Sequence, residues 1–232
     1  MAHAAAGGAF HRADHLAFAL TVAIGAVIIV GLLVRLEGAR PATLGLARPG
    51  RGLAIGALWY AVPAAVGLAI AVFAGWMDVG LDSTGGDAAL QLLALAGLVF
   101  LSEALPEELI FRGLIQSRLG EAMGAWGGVL GQAVLFTTFA VLLGSASAPM
   151  DIGFIFFFGL ALGMLRAAPG SIWASVGFHW LFMTLQQAHG GGWDLLSINA
   201  TPMIQMVVLT NAPFAVVIAF LFNRVSAGKV GR

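Results

Sequence analysis

Apolar residues run along this chain in long blocks broken by short polar stretches, without the strict alternation of half-buried strands. A membrane-spanning helix needs about 20 mostly apolar residues. Such stretches fall at 16–34, 53–76, 88–119, 125–143, 152–165, 171–186 and 202–222. The pattern predicts an all-α polytopic bundle of seven spans, or eight if Pro106 splits the third. The fifth stretch is short and would need tilt or local thinning of the bilayer to cross. No small-x-small cleavage pattern follows the first stretch, and Arg35 comes directly after it, so it reads as a retained span rather than a signal peptide. Loops are short, with no linker and no internal repeat. The prediction is one membrane-embedded domain over 1–232.

Composition agrees with the pattern. Only 9% of residues are charged, 60% are hydrophobic and the mean hydropathy is +0.96. A soluble domain carries about a quarter of its residues charged. These values exclude a soluble enzyme and a disordered chain. A formal net charge of zero and the lack of a Lys/Arg-rich run argue against a nucleic-acid partner. With no Cys, thiolate chemistry and disulfide scaffolds are also out.

The few charges sort by loop. Arg35, Arg40, Arg48 and Arg51 follow the first stretch, Arg118 and Arg166 end the third and fifth, and Arg224, Lys229 and Arg232 follow the last. Asp78, Asp82, Asp87, Asp151 and Asp194 occupy the alternate loops, and only Arg12, next to Asp14, falls on the wrong side. Basic loops stay in the cytoplasm, which predicts an external N-terminus and a cytoplasmic C-terminus. Gly120/Gly124, Gly127/Gly131 and Gly159/Gly163 have small-xxx-small spacing, read as close packing within one bundle, with homodimerisation the lesser reading.

Orientation does not account for Glu103, Glu107, Glu108 and Arg112 inside the third stretch. Each such charge is unfavourable by roughly 2.5–3.5 kcal/mol on insertion scales. Measured from Arg118 at about 1.5 Å per residue, Glu107 lies about 17 Å along the axis, near mid-bilayer. Glu108 and Arg112 stand at i, i+4 and can pair on one face, leaving Glu107 to turn toward a cavity. A carboxylate kept from bulk water beside a guanidinium suits a general base. A purely structural ion pair accounts for Glu108 and Arg112 but not for Glu107. Glu103 reads as a helix-terminal polar residue. Of five His, only His179 lies within a stretch, at a depth near that of Glu107, while His3, His11, His15 and His189 are terminal or in a loop. A zinc site needs three or four ligands, more than this interior offers, and no cofactor is expected.

These residues resemble the CPBP family of intramembrane proteases, which includes CAAX prenyl endopeptidases and bacteriocin-immunity-type homologues. Its first motif, Glu-Glu-x-x-x-Arg, is matched by Glu107, Glu108 and Arg112. Trp126-Gly127-Gly128-Val129 and Gly170-Ser171-Ile172-Trp173-Ala174 resemble the family's setting, and the likeness covers about 101–184. Two positions depart from it. The second motif, Phe-x-x-x-His, begins at Phe136 and ends on Ala140, and starting at Phe139 reaches only Leu143. The third, His-x-x-x-Asn/Asp, has His179 followed by Met183.

The resemblance implies that Glu107 activates water, that His179 survives as an oxyanion donor, and that Ala140 and Met183 replace a water ligand and a second donor. Glu108 and Arg112 support the site. It further implies a membrane-embedded or lipid-anchored peptide substrate and a bacterial or archaeal cell membrane. Gln132, Thr137, Thr138 and Gln186 are the polar side chains that could fill the gaps. The other readings are an impaired family member that binds a membrane protein, an engineered inactive variant, and a transporter or proton channel.

Overall fold

The computed structural model describes residues 12–81, 86–189, 193 and 195–227. Among the residues discussed above, His3, His11, Asp82, Asp194, Lys229 and Arg232 lie outside it, as do the side chains of Arg12, Asp14, His15 and Asp87. The described chain is helical along almost all its length. Helix α1 spans Arg12–Leu36, α2 Pro49–Phe73, α3 Gly86–Val99, α4 Leu105–Glu107, α5 Gln116–Leu142, α6 Pro149–Ala167, α7 Ile172–His189, α8 Pro202–Met206 and α9 Ala212–Ser226. Wider π turns at Phe100–Ala104 and Glu108–Ile115 join α3, α4 and α5, and another at Val207–Asn211 joins α8 to α9.

Local chemistry sets the ends. Pro49 and Pro149 open α2 and α6, where a missing N–H has no helical partner to lose. Asp151 accepts a hydrogen bond from the Ala148 N–H at 3.2 Å, and Arg166 closes α6, each charge at the helix end whose dipole favours it. The sequence pattern did not include strands. Two short ones form, β1 at Asp78–Leu81 and β2 at Leu196–Asn199, paired antiparallel with Asp78 opposite Asn199.

The most consequential turn lies inside α5. Gly124 has φ 78° and ψ 175°, outside the helical region. A Cβ on Gly128 would stand 2.8 Å from the Gln116 carbonyl oxygen and 3.1 Å from Gly120, and one on Gly131 would stand 2.7 Å from the Leu119 side chain. Residues 12 apart in one straight helix would be about 18 Å from each other. The helix therefore doubles back at Gly124, and only glycine adopts that backbone readily. Five stretches are long and apolar enough to cross a membrane: Leu16–Leu36, Pro41–Phe73, Ala88–Leu142, Pro149–Ala167 and Pro202–Ser226. That differs from the seven expected. The 55-residue stretch contains the reversal at Gly124, so two expected spans are joined in it. Helix α7 is not among the five, since His179, Gln186, Gln187 and His189 dilute its apolar content.

At one end of the bundle the basic segments meet. Arg118 donates to Glu37 at 2.7 Å, and the Thr43 carbonyl accepts from Ser117 at 3.0 Å and Arg166 at 3.1 Å. Trp126 donates to Ser226 at 3.2 Å. Large apolar side chains such as Ile28, Leu32, Phe73, Leu90 and Phe220 stay exposed, as a chain surrounded by lipid requires.

The core holds an aromatic cluster of Tyr60, Phe154, Phe158, Phe178, Phe182 and Phe214, with ring centroids 5.1–6.3 Å apart. Helices α2 and α7 pack closely along each other through glycines. A Cβ on Gly56 would fall on the Ala174 carbonyl, and one on Gly177 on the Leu53 carbonyl. Gly159 meets Ala133 in the same way, so the Gly159/Gly163 pair serves packing of α6 on α5 within the bundle. We expect Gly56→Leu to destabilise the protein by on the order of 3 kcal/mol through overpacking. Gly25→Leu, in open space on α1, should leave thermal unfolding in micelles unchanged. Equal melting temperatures for the two variants would contradict the α2–α7 packing.

Candidate active site

Pro106 has no N–H to give to the helix ladder and crowds the turn before it. The chain neither breaks nor kinks into two pieces there. It stays helical, with a π turn on each side: the Leu105 N–H reaches the Phe100 carbonyl and the Gln116 N–H the Phe111 carbonyl, five residues back in both cases. Such widened turns absorb a lost backbone bond and occur often at functional sites. Between and within them lie Glu107, Glu108 and Arg112.

Glu108 and Arg112 pair as their spacing requires, with Nη1 donating to Oε1 at 3.0 Å and both side chains fully buried. The Arg112 guanidinium carbon stands 4.4 Å from the centroid of the Phe136 ring, so an aromatic face covers part of its charge. From α7, His179 completes the group. Its Nδ1 lies 3.0 Å from the same Glu108 oxygen. A carboxylate paired to Arg112 is an acceptor only, so the imidazole carries its proton on Nδ1 and donates it. The other nitrogen, Nε2, then points at Glu107, 3.9 Å from Oε2. That gap is too long for a direct hydrogen bond. Phe158 meets the imidazole edge-on at 4.9 Å between centroids and holds its plane.

Exposure separates the two carboxylates. The Glu107 side chain is 30% exposed, against 0% for Glu108 and 3% for His179. The structure thus brings together Glu107, Glu108, Arg112 and His179, one carboxylate open to an incoming molecule and the other sealed as an anchor for the imidazole.

Ala140 is buried on α5, one turn beyond Phe136, and Met183 is half-buried one turn beyond His179. Neither carries a polar group. An open depression lies among Glu37, Arg40, Thr43, Arg118 and Glu121.

The polar side chains expected to fill the gaps bond elsewhere, and of them only Gln132 Oε1 is buried without a partner among the described residues. The Gln132 amide donates to the Gly159 carbonyl at 2.7 Å, Thr137 and Thr138 bond back to Ala133 and Val134, and Gln186 bonds to Thr210. Glu103 is not a helix-terminal residue, since it lies within a continuous helical run and accepts from Gln187 at 2.8 Å. Gln187 was missed in the sequence, although it stands eight residues after His179, on the same helix face. Among the described residues no group of three or more His, Asp and Glu side chains is arranged to hold a metal ion.

Apolar helices with a carboxylate pair, a guanidinium and an imidazole joined inside them define an all-α integral membrane protein with a buried polar centre. Residues 89–185 match the family model described as type II CAAX prenyl endopeptidase Rce1-like, and the match supports membership of the CPBP family. No curated protein and no solved structure matches the chain.

Proposed function

We propose that the protein is a glutamate-dependent intramembrane endopeptidase acting on a membrane-embedded or lipid-anchored peptide. A peptide ending in a prenylated CAAX motif, the substrate class in the name of the matched family, is the first to test. The observation that carries the reading is the arrangement of Glu107, open on one side, against His179 Nε2 on the other, with His179 fixed by Glu108 and Arg112.

In this mechanism Glu107 takes a proton from a water molecule as its oxygen adds to the scissile carbonyl carbon. The same proton passes to the departing amine as the carbon–nitrogen bond breaks. The imidazolium form of His179 presents Nε2–H to the carbonyl oxygen as charge develops there, a role whose loss typically costs 10²–10³ in rate. Glu108 and Arg112 act through His179 by fixing its position and plane. The meeting of Arg118, Arg166 and the 37–43 turn at one end of the bundle supports seven crossings, with that end in the cytoplasm and the N-terminus outside.

Purified protein in vesicles should cleave a farnesylated CAAX-ended peptide, or an apolar 25-residue spanning peptide, into two fragments visible by mass spectrometry. Intact peptides in both cases would overturn the reading. We expect His179→Ala to lower kcat by roughly 10²–10³, the range for one lost donor. An unchanged kcat would remove His179 from the mechanism.

A further inference from the structure

About one turn from Glu107 and two turns from His179, the same two helical segments meet again through a second polar pair. Glu103 stands four residues before Glu107, and Gln187 eight residues after His179. The Gln187 amide donates to Glu103 Oε1 at 2.8 Å, and both side chains are only half-buried. Between the two pairs, on the α7 face, lies Met183, which cannot hydrogen-bond strongly. The bond uses one Gln187 N–H and one Glu103 oxygen, and an amide has a second N–H and a carboxylate a second oxygen on these half-buried side chains. Gln187 lies beyond residues 89–185, where the family model matches.

A peptide must be extended to expose its scissile bond. Within a membrane, an unwound segment leaves N–H and C=O groups without water, each unfavourable by several kcal/mol unless the protein supplies partners. We propose that Glu103 and Gln187 bind the substrate backbone beside the scissile bond: the carboxylate accepts from a substrate N–H and the amide donates to a substrate carbonyl. Glu103 and Glu107, four residues apart, are about 6 Å apart along the axis at 1.5 Å per residue. An extended strand rises about 3.3 Å per residue, so the Glu103 contact falls roughly two residues from the bond that Glu107 serves. Glu103 and Gln187 are positioning residues, and the assignment rests on the protease reading.

The test uses full-length protein in vesicles and the cleavable peptide of the preceding section. In a matched series, each backbone N–H within three residues of the cut is replaced in turn by an ester oxygen. For wild type, one ester, about two residues from the cut, should lower kcat/KM about tenfold. Against Glu103→Leu, that ester and the parent amide should be cleaved equally, because the acceptor is already gone. Gln187→Leu should lower kcat/KM about tenfold with an unchanged pH profile. Glu103→Met is close in size to glutamate, lacks a strong acceptor and serves as the second variant if Glu103→Leu fails to fold; it should likewise abolish the ester effect. Additive losses in both Glu103 variants, or no sensitive ester in wild type, would overturn this inference alone. Failure of wild type to cleave any peptide, or cleavage by Glu107→Gln equal to wild type, would overturn the protease reading and this inference with it.

Discussion

Glu107→Gln should abolish peptide cleavage, lowering kcat at least 10³-fold, while leaving thermal unfolding close to that of wild type. The substitution keeps the shape of the side chain and removes its ability to take a proton. It should also spare the fold, because Glu107 makes no direct hydrogen bond to His179 across the 3.9 Å gap and its side chain is 30% exposed. General-base catalysis contributes typically 10²–10⁴-fold, and in the proposed mechanism the same carboxylate also returns the proton to the leaving amine. Cleavage by the variant at the wild-type rate would remove Glu107 from its assigned role. Loss of cleavage together with a large fall in melting temperature would show that Glu107 holds the bundle together instead.

The opposite split is expected for Arg112→Leu. This side chain is fully buried and pairs with a fully buried carboxylate, so its loss strands the Glu108 charge away from water. Removing one partner of a buried pair destabilises by about 3–5 kcal/mol. For a chain of this size that corresponds to a melting temperature lower by on the order of 10 °C. Replacing both partners should relieve most of the penalty. In Glu108→Gln/Arg112→Leu no charge is buried alone, and the Gln carbonyl can still accept from His179 Nδ1. Thermal unfolding in micelles should place the double variant well above Arg112→Leu. A double variant less stable than the single one would show that the ion pair is not the reason Arg112 is buried.

The two predictions separate what the pair of adjacent carboxylates does. Glu108 faces inward and pairs with His179, and Glu107 is partly exposed, on the side where the proposed mechanism places the substrate. The spacing along the helix already distinguished them, since i, i+4 joins Glu108 to Arg112 and excludes Glu107. The role of His179 in choosing between them was not in the spacing. Its Nδ1 selects Glu108 and its Nε2 faces Glu107, which follows only from how α7 crosses the π turn at Glu108–Ile115.

The missing His and Asn positions show the same division. That Ala140 and Met183 lack polar groups is plain from the sequence. Which side chains stand near them is not, because Gln132, Thr137, Thr138 and Gln186 resemble free polar groups until their hydrogen-bond partners are known. Gln187 went unnoticed for the matching reason. A glutamine near the end of an apolar helix looks like a solvated terminus until Glu103 is found opposite it.

The sequence alone shows an all-α membrane protein in which Glu107, Glu108, Arg112 and His179 are the unusual groups, whereas its seven expected spans stand against five stretches in the structure. The sequence can show this much because an apolar solvent punishes charge and unpaired backbone so heavily that each exception stands out in one dimension. Only the tertiary structure decided that the chain doubles back at Gly124, that helix persists through Pro106 on widened turns, and that His179 bridges the two carboxylates. Those outcomes depend on the directions in which packed helices cross, and hydrogen bonds 71 or 84 residues apart leave no trace in local spacing.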